Sequence, residues 1–251
     1  MKEAVIVSTA RTGMGKSFRG ALNDTEAPAM GGHAVKAAVE RAGIDPASVE
    51  DVIMGAAAQQ GTQSYNLGRL CSVAAGLPDT TAGMTMDRQC SSGLMSIAWA
   101  AKSIMCDEMD VAVAGGLESI SLVQTKHKNS YRNVSQTVTD IDPTAYIPMI
   151  ETAEIVSERY GISREAQDEY ALQSQMRVAA AQEAGLFNDE IVPFATRMAV
   201  FNKETKETSY QDVVLDRDEC NRPSTTLESL QGLAPVWKDG QWVKEGKFIT
   251  A

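Results

Sequence analysis

Cysteine and histidine are scarce in this chain: Cys71, Cys90, Cys106 and Cys220, with His33 and His127, are all that 251 residues contain. Four thiols so widely scattered make neither a zinc ribbon nor a disulfide scaffold, so reduced thiols are expected. Basic residues are outnumbered, 23 against 33 acidic ones, and the net charge of −10 leaves no basic face for a nucleic acid. A polyanionic ligand would have to be met by a local cluster of cations. No apolar run reaches the length of a membrane span, and the opening MKEAVIVSTA carries an acid at position 3 and too short an apolar stretch for a signal peptide, so a cytoplasmic protein is expected. The segment ARTGMGK lacks the GxxxxGK[ST] spacing of a phosphate loop. What is present is the composition of a globular protein, 43% hydrophobic and 22% charged, long enough for one large domain or two ordinary ones.

Residues 4–8 (AVIVS) read as a buried strand, a continuous β-branched run between polar residues. Helical spacing then covers 25–42, with Pro28 in a first turn and Gly43 as the stop. A strand is expected at 52–54, a helix at 67–75 ending in Gly76-Leu77-Pro78, a strand at 84–86, a helix after Cys90 and a strand at 111–114. This alternation predicts right-handed βαβ units, and so a largely parallel sheet covered on both faces by helices. From Leu122 the texture changes. Residues 122–147 are polar, with Lys126, His127, Lys128 and Arg132 clustered. Amphipathic helices follow at 151–160 and 164–184, then short strands and turns from Ile191 to Trp242. Two domains are expected, 1–121 and a looser 122–251 inserted after the first sheet half.

The stretch the rest serves is 84–105, MTMDRQCSSGLMSIAWAAKSIM. Leu94, Ile97, Ala98, Ala101, Ile104 and Met105 have the spacing of one buried helical face, and Ser91 and Ser92 are capping types. Cys90 then sits at or just before the first turn, where unpaired N–H groups and the positive dipole end suit an anionic sulfur. Gly93 allows close approach of a backbone or ligand. Residue type alone favours a buried structural cysteine. Position at a polar, small-residue turn brings a reactive role level with it.

RQCSSGL and the alanine-rich helix after it resemble the acyl-enzyme segment of thiolases, in the form found in degradative 3-ketoacyl-CoA thiolases. The resemblance extends along the chain: QSYNLGRLCSVAAGLP, GGLESIS (with Leu117 and Ile120 in place of methionines), the run from TAEIVSERYG to DEIVPF, and RPSTTLESLQGLAPVW. It implies a layered α/β fold, of which this chain would be the N-terminal half plus an inserted α+β loop domain covering the coenzyme A side. It implies that Cys90 is the acylated nucleophile, that coenzyme A is a substrate, that no metal or covalently held cofactor is used, and that the chain forms a homodimer or dimer of dimers. By the same resemblance Arg222 would bind the nucleotide end of coenzyme A, Ser229 the pantetheine side, and Trp237, standing for the usual phenylalanine, would pack near the ligand. By residue type alone Arg222 reads as a solvated surface charge. Pro148-Met149 replaces the His-Met of biosynthetic thiolases and favours longer 3-ketoacyl substrates, with Met149 on the substrate side.

Carbon–carbon cleavage by a cysteine also needs a proton donor, an oxyanion site and a base for the incoming thiol. His33 lies in an Ala- and Gly-rich stretch and His127 in a basic loop, neither in a recognisable catalytic setting. The GHP and CxGGG motifs that supply the family's histidine and second cysteine are not in this sequence, and QWVKEGK lengthens the link before FITA. The expected function is acyl transfer, the thiolytic cleavage of 3-ketoacyl-CoA in fatty-acid β-oxidation, with this chain an incomplete and inactive piece of the enzyme. The alternatives are a non-catalytic coenzyme A- or lipid-binding or dimer-forming module of thiolase type, and a biosynthetic acetoacetyl-CoA thiolase or related condensing enzyme.

Overall fold

A computed structural model describes residues 2–251. The chain divides into two compact units, one of residues 2–129 with Phe187–Cys220, the other of Ser130–Leu186 with Asn221–Ala251. Residues 187–220 thus group with the first unit rather than with the 122–251 stretch expected to form one domain.

The first unit is built on three parallel strands, β1 (Asp51–Gly55), β2 (Ala82–Met86) and β3 (Ala112–Gly116), in the order β2-β1-β3. Helix α1 (Ala27–Ala42) precedes β1, with Pro28 in its first turn and Gly43 in the left-handed conformation at its end. Helix α2 (Leu67–Ala74) joins β1 to β2 and starts at Asn66, whose side chain accepts the Arg69 N–H. Helix α3 (Ser92–Met105) joins β2 to β3. Successive strand residues point to opposite faces. Val52 and Met54 enter the core with Val35 and Val39 of α1 and Leu67 and Cys71 of α2, while Gly55 lies against the opening turn of α3. The expected parallel sheet with helices on both faces is present. A short helix α4 (Ile120–Val123) follows β3. Further on, β4 (Phe194–Phe201) and β5 (Thr208–Leu215) pair as an antiparallel hairpin. Arg11 holds this region: it pairs with Asp218 through both carboxylate oxygens, at 2.7 and 3.0 Å, and with Glu190 at 2.8 Å.

Two expectations fail here. Residues 4–8 form no strand: they belong to no ladder among the described residues, and Val5, Ile6 and Val7 are 67–74% exposed. A β-branched run becomes a strand only where a sheet edge takes up its N–H and C=O groups. The face of α3 is also reversed. Its buried residues are Ser92, Ser96, Ala100 and Ser103, while Leu94 of the expected apolar face is 73% exposed and Ile97 and Met105 are exposed too. The cause is the closeness of the sheet. Gly55, Gly93 and Gly116 bring backbones together so closely that a Cβ on Gly116 would meet Gly93 and one on Gly55 would meet Ser92, and only small side chains fill such a seam. Buried Ser96 Oγ donates to the Gly115 carbonyl at 2.6 Å.

The second unit carries α5 (Gln136–Ile141), α6 (Met149–Tyr160), α7 (Arg164–Glu183) and α8 (Leu227–Gln231). Helix α6 ends at left-handed Gly161, and Ser163 caps α7 through the Ala166 N–H. Arg164 pairs with buried Asp168 and donates to the carbonyls of Leu230 and Leu233. Again a polar face is buried: Glu151, Glu154 and Ser157 of α6. Glu151 accepts the backbone N–H groups of Trp242 and Val243, and Glu154 those of Lys247, Phe248 and Ile249. Burial works against the charge of Glu151, but donation from Val243, Trp242 and Gln241 outweighs it and holds the carboxyl below its usual range.

Candidate active site

Cys90 lies in the turn that leaves β2 and enters α3, and it is exposed. The residue before it, Gln89, has φ of 48°, a left-handed conformation that costs a residue with a Cβ energy. Four hydrogen bonds around the turn hold it there. Asp87 Oδ1 accepts the Gln89 N–H at 2.7 Å. Ser92 Oγ accepts the Arg88 N–H at 2.8 Å and donates to the Gln89 carbonyl at 2.6 Å, and the Ser92 N–H donates to the same carbonyl at 3.1 Å. Met95 then donates to Ser91 O in the first helical bond that reaches back across the turn. The N–H groups of the opening turn of a helix lack helical partners and carry its positive dipole end. The thiol therefore stands in solvent at the head of α3, on a turn held in one shape.

The other cysteines are placed differently. Cys71 is fully buried in the α1/α2 core, and burial pushes its thiol up to about 12. Cys106, just past α3, and Cys220 are exposed. Neither histidine bonds to Cys90. His33 on α1 packs its ring against Phe194 with centroids 4.8 Å apart, and its Nε2 has no hydrogen-bond partner among the described residues. His127 is exposed in the loop after α4.

Glu118 and Gln63 brace the loop after β1. The Glu118 carboxylate accepts the N–H groups of Ala57 and Ala58 and the side-chain amide of fully buried Gln63. Gln63 in turn accepts the Ser119 N–H.

The remaining expected site residues lie in the second unit. Met149 opens α6 and is 80% exposed. Arg222 is exposed, its backbone held by Gln175 and Thr225, and its guanidinium is in no ion pair among the described residues. Ser229 forms a capping box with Thr226 at the head of α8, so its hydroxyl is engaged by the fold. Half-buried Trp237 donates its indole N–H to the Val243 carbonyl at 3.0 Å, within the segment that Glu151 and Glu154 hold. Cys90 belongs to the first unit and these four to the second. No group of three metal-ligating side chains occurs among the described residues.

Sequence reasoning did not single out Ser92 as a brace, nor Gln63, Glu118, Glu151 and Glu154. For the last two a signal existed, since acids three apart on a short helix share one face. Nothing in the sequence says that this face is the buried one.

The chain matches the family model "Thiolase, N-terminal domain" over residues 4–248. It is 40% identical over 237 residues to the 3-ketoacyl-CoA thiolase of Bacillus subtilis, covering 94% of this chain and 60% of that protein. To the acetyl-CoA acetyltransferase of Escherichia coli it is 38% identical over 257 residues, covering 98% of this chain and 62% of that protein. The crystal structure of the Bacillus anthracis acetyl-CoA acetyltransferase superposes with a TM-score of 0.77 at 36% identity, covering 96% of this chain and 60% of that one. The chain therefore spans about 60% of the length of the relatives it matches.

Proposed function

This chain belongs to the thiolase family, and we propose that Cys90 is the nucleophile of an acyl transfer between coenzyme A thioesters. The observation that carries this reading is the exposed sulfur on a strained, hydrogen-bonded turn at the head of α3. In thiolytic cleavage, Cys90 attacks the 3-keto carbon of a 3-ketoacyl-CoA. The bond between its second and third carbons breaks, acetyl-CoA leaves as a carbanion equivalent that takes up a proton, and the shortened acyl group remains as a thioester on Cys90. The thiol of an incoming coenzyme A then attacks that thioester, gives up its proton and releases the shortened acyl-CoA.

The degradative direction, with 3-ketoacyl-CoA as substrate in fatty-acid β-oxidation, is the finer part of the proposal. It is supported by Pro148-Met149 and by the RQC form of the nucleophile motif, while relatives of both kinds match the chain. Met149, Arg222, Ser229 and Trp237 are proposed to meet coenzyme A, Arg222 taking phosphate because a guanidinium pairs with it through two hydrogen bonds. A homodimer or dimer of dimers, a cytoplasmic setting and a loop-domain role for the second unit belong to the same reading.

His33 packs on Phe194 and His127 is exposed in a loop, and neither hydrogen-bonds to Cys90. Loss of general acid–base help costs roughly 10²–10⁴ in rate, so this chain by itself is expected to accept an acyl group without turning over. Incubation with acetyl-CoA followed by mass spectrometry tests the reading. One acetyl group should appear on the Cys90 peptide, with release of coenzyme A, and should vanish in Cys90→Ala. Acetylation at another cysteine, or none on Cys90, would remove it as nucleophile. Steady cleavage of a 3-ketoacyl-CoA at the rate of a full-length relative would show that one of the two histidines is the base after all.

A further inference from the structure

The Cys90 side chain is exposed rather than buried in a core. Its position is inherited from the turn, which the side chains of Asp87 and Ser92 hold. Ser92 is 3% exposed, and its hydroxyl joins the two residues before Cys90, accepting from Arg88 N–H and donating to Gln89 O at 2.8 and 2.6 Å. Gln89, the second of the two, carries the left-handed backbone. Ser92 is itself held from behind, since Gly55 at the end of β1 lies so close that a Cβ there would stand 2.2 Å from the Ser92 carbonyl carbon. A mechanical line therefore runs from the central strand through Ser92 to the strained residue that aims Cys90. Ser91 is adjacent, equally polar and exposed, and makes no side-chain cap bond.

We propose that Ser92 is the positioning residue of the nucleophile: its buried hydroxyl holds Gln89 in the left-handed conformation and so keeps the Cys90 sulfur at the head of α3. This rests on the reading of Cys90 as the nucleophile. Without the hydroxyl, Gln89 relaxes to an ordinary backbone angle, the turn opens, and the sulfur leaves the positive end of the helix.

Cys106 of the same chain, also exposed, supplies an internal reference. Limiting iodoacetamide with peptide mapping gives the ratio of the Cys90 to the Cys106 alkylation rate, which a change in overall stability does not move while the chain is folded. In the wild-type chain Cys90 should react faster; if it does not, the nucleophile reading itself fails. Ser92→Ala should lower the ratio roughly tenfold, within the range a helix N-terminus contributes to an anion. Ser92→Thr, which keeps the hydroxyl, should restore most of it, and Ser91→Ala should leave it unchanged. A fast Cys90 with an unchanged ratio in Ser92→Ala, or an equal fall in Ser91→Ala, overturns the positioning role alone. Should Ser92→Ala not fold, glycine at 89 removes the backbone strain, and Gln89→Gly is compared with Gln89→Gly/Ser92→Ala. Because glycine takes the left-handed angle without help, both variants should keep a fast Cys90; a double variant that folds but has lost it overturns the proposal.

Discussion

Gly55 and Ser92 meet backbone to backbone: a Cβ on Gly55 would lie 2.2 Å from the carbonyl carbon of Ser92 and 2.5 Å from the Gly93 nitrogen. This contact seats the head of α3 on the end of the central strand. Gly55→Ala should therefore destabilise the first unit by about 1–3 kcal/mol, the cost of overpacking a close-packed site, and should slow Cys90 alkylation. Urea unfolding with thiol mapping checks both effects. Wild-type stability in the alanine variant would mean that the seam is looser than its geometry states.

Acid should weaken the anchor at Asp218. Burial works against its charge, but hydrogen bonds from Arg11 and the Met14 N–H hold the carboxyl below the usual carboxylate range. An acid whose folded pKa is depressed contributes its full stability above its unfolded value, about 3.9, and loses it as the pH falls through the folded value. Asp218→Asn should cost about 1.5–3 kcal/mol near neutral pH, as for a charged hydrogen bond. The gap from wild type should narrow below about pH 4. Urea titrations of both chains across that window give the answer, and a constant gap would exclude the carboxylate as its source.

Leu94 (73% exposed), Ile97 and Trp99 on α3 leave apolar surface in water, as do Val5, Ile6 and Val7. Clustered exposure of this kind favours association. The chain alone should show concentration-dependent association in sedimentation velocity. Leu94→Glu with Ile97→Lys should reduce it without unfolding α3, because neither side chain is in the buried seam. Unchanged association would place the sticky surface elsewhere.

Coenzyme A binding should depend on Arg222, since a chain of net charge −10 meets phosphates only through local cations. Arg222→Ala should weaken binding by about 1.5–3 kcal/mol in calorimetry at low salt, where screening is least. An unchanged dissociation constant removes Arg222 from the site.

Much of the fold is legible in residue order. Strand β1 shows as VIM, α1 is bracketed by Pro28 and Gly43, α2 runs to the Gly76 turn, and α6 and α7 are separated by Gly161. Their signals are local: caps, glycines that take positive φ, and runs of apolar residues. The place of Cys90 at a strand-to-helix turn is legible too, because a cysteine among small polar residues at such a junction is out of place in a core.

The reading failed where burial was inferred from hydrophobicity. On α3 and α6 the more polar face is the buried one, filled by Ser92, Ser96 and Ser103 in one case and by Glu151, Glu154 and Ser157 in the other. Three meeting glycines leave room for serines and not for leucines. Buried glutamates are satisfied by five backbone N–H groups from residues about ninety positions away. Residues 4–8 have the composition of a strand but pair with no strand among the described residues.

The sequence by itself determined the strand and helix order from α1 to β3, the parallel sheet and the place of Cys90 at the start of a helix, because propensity, capping and turn chemistry act over a few residues. Only the tertiary structure decided which face each helix buries, where the 187–220 segment packs, and that Ser92 braces the strained residue beside the thiol. Those outcomes depend on how closely backbones distant in sequence approach and on which N–H groups are left to be satisfied, and no local pattern encodes either.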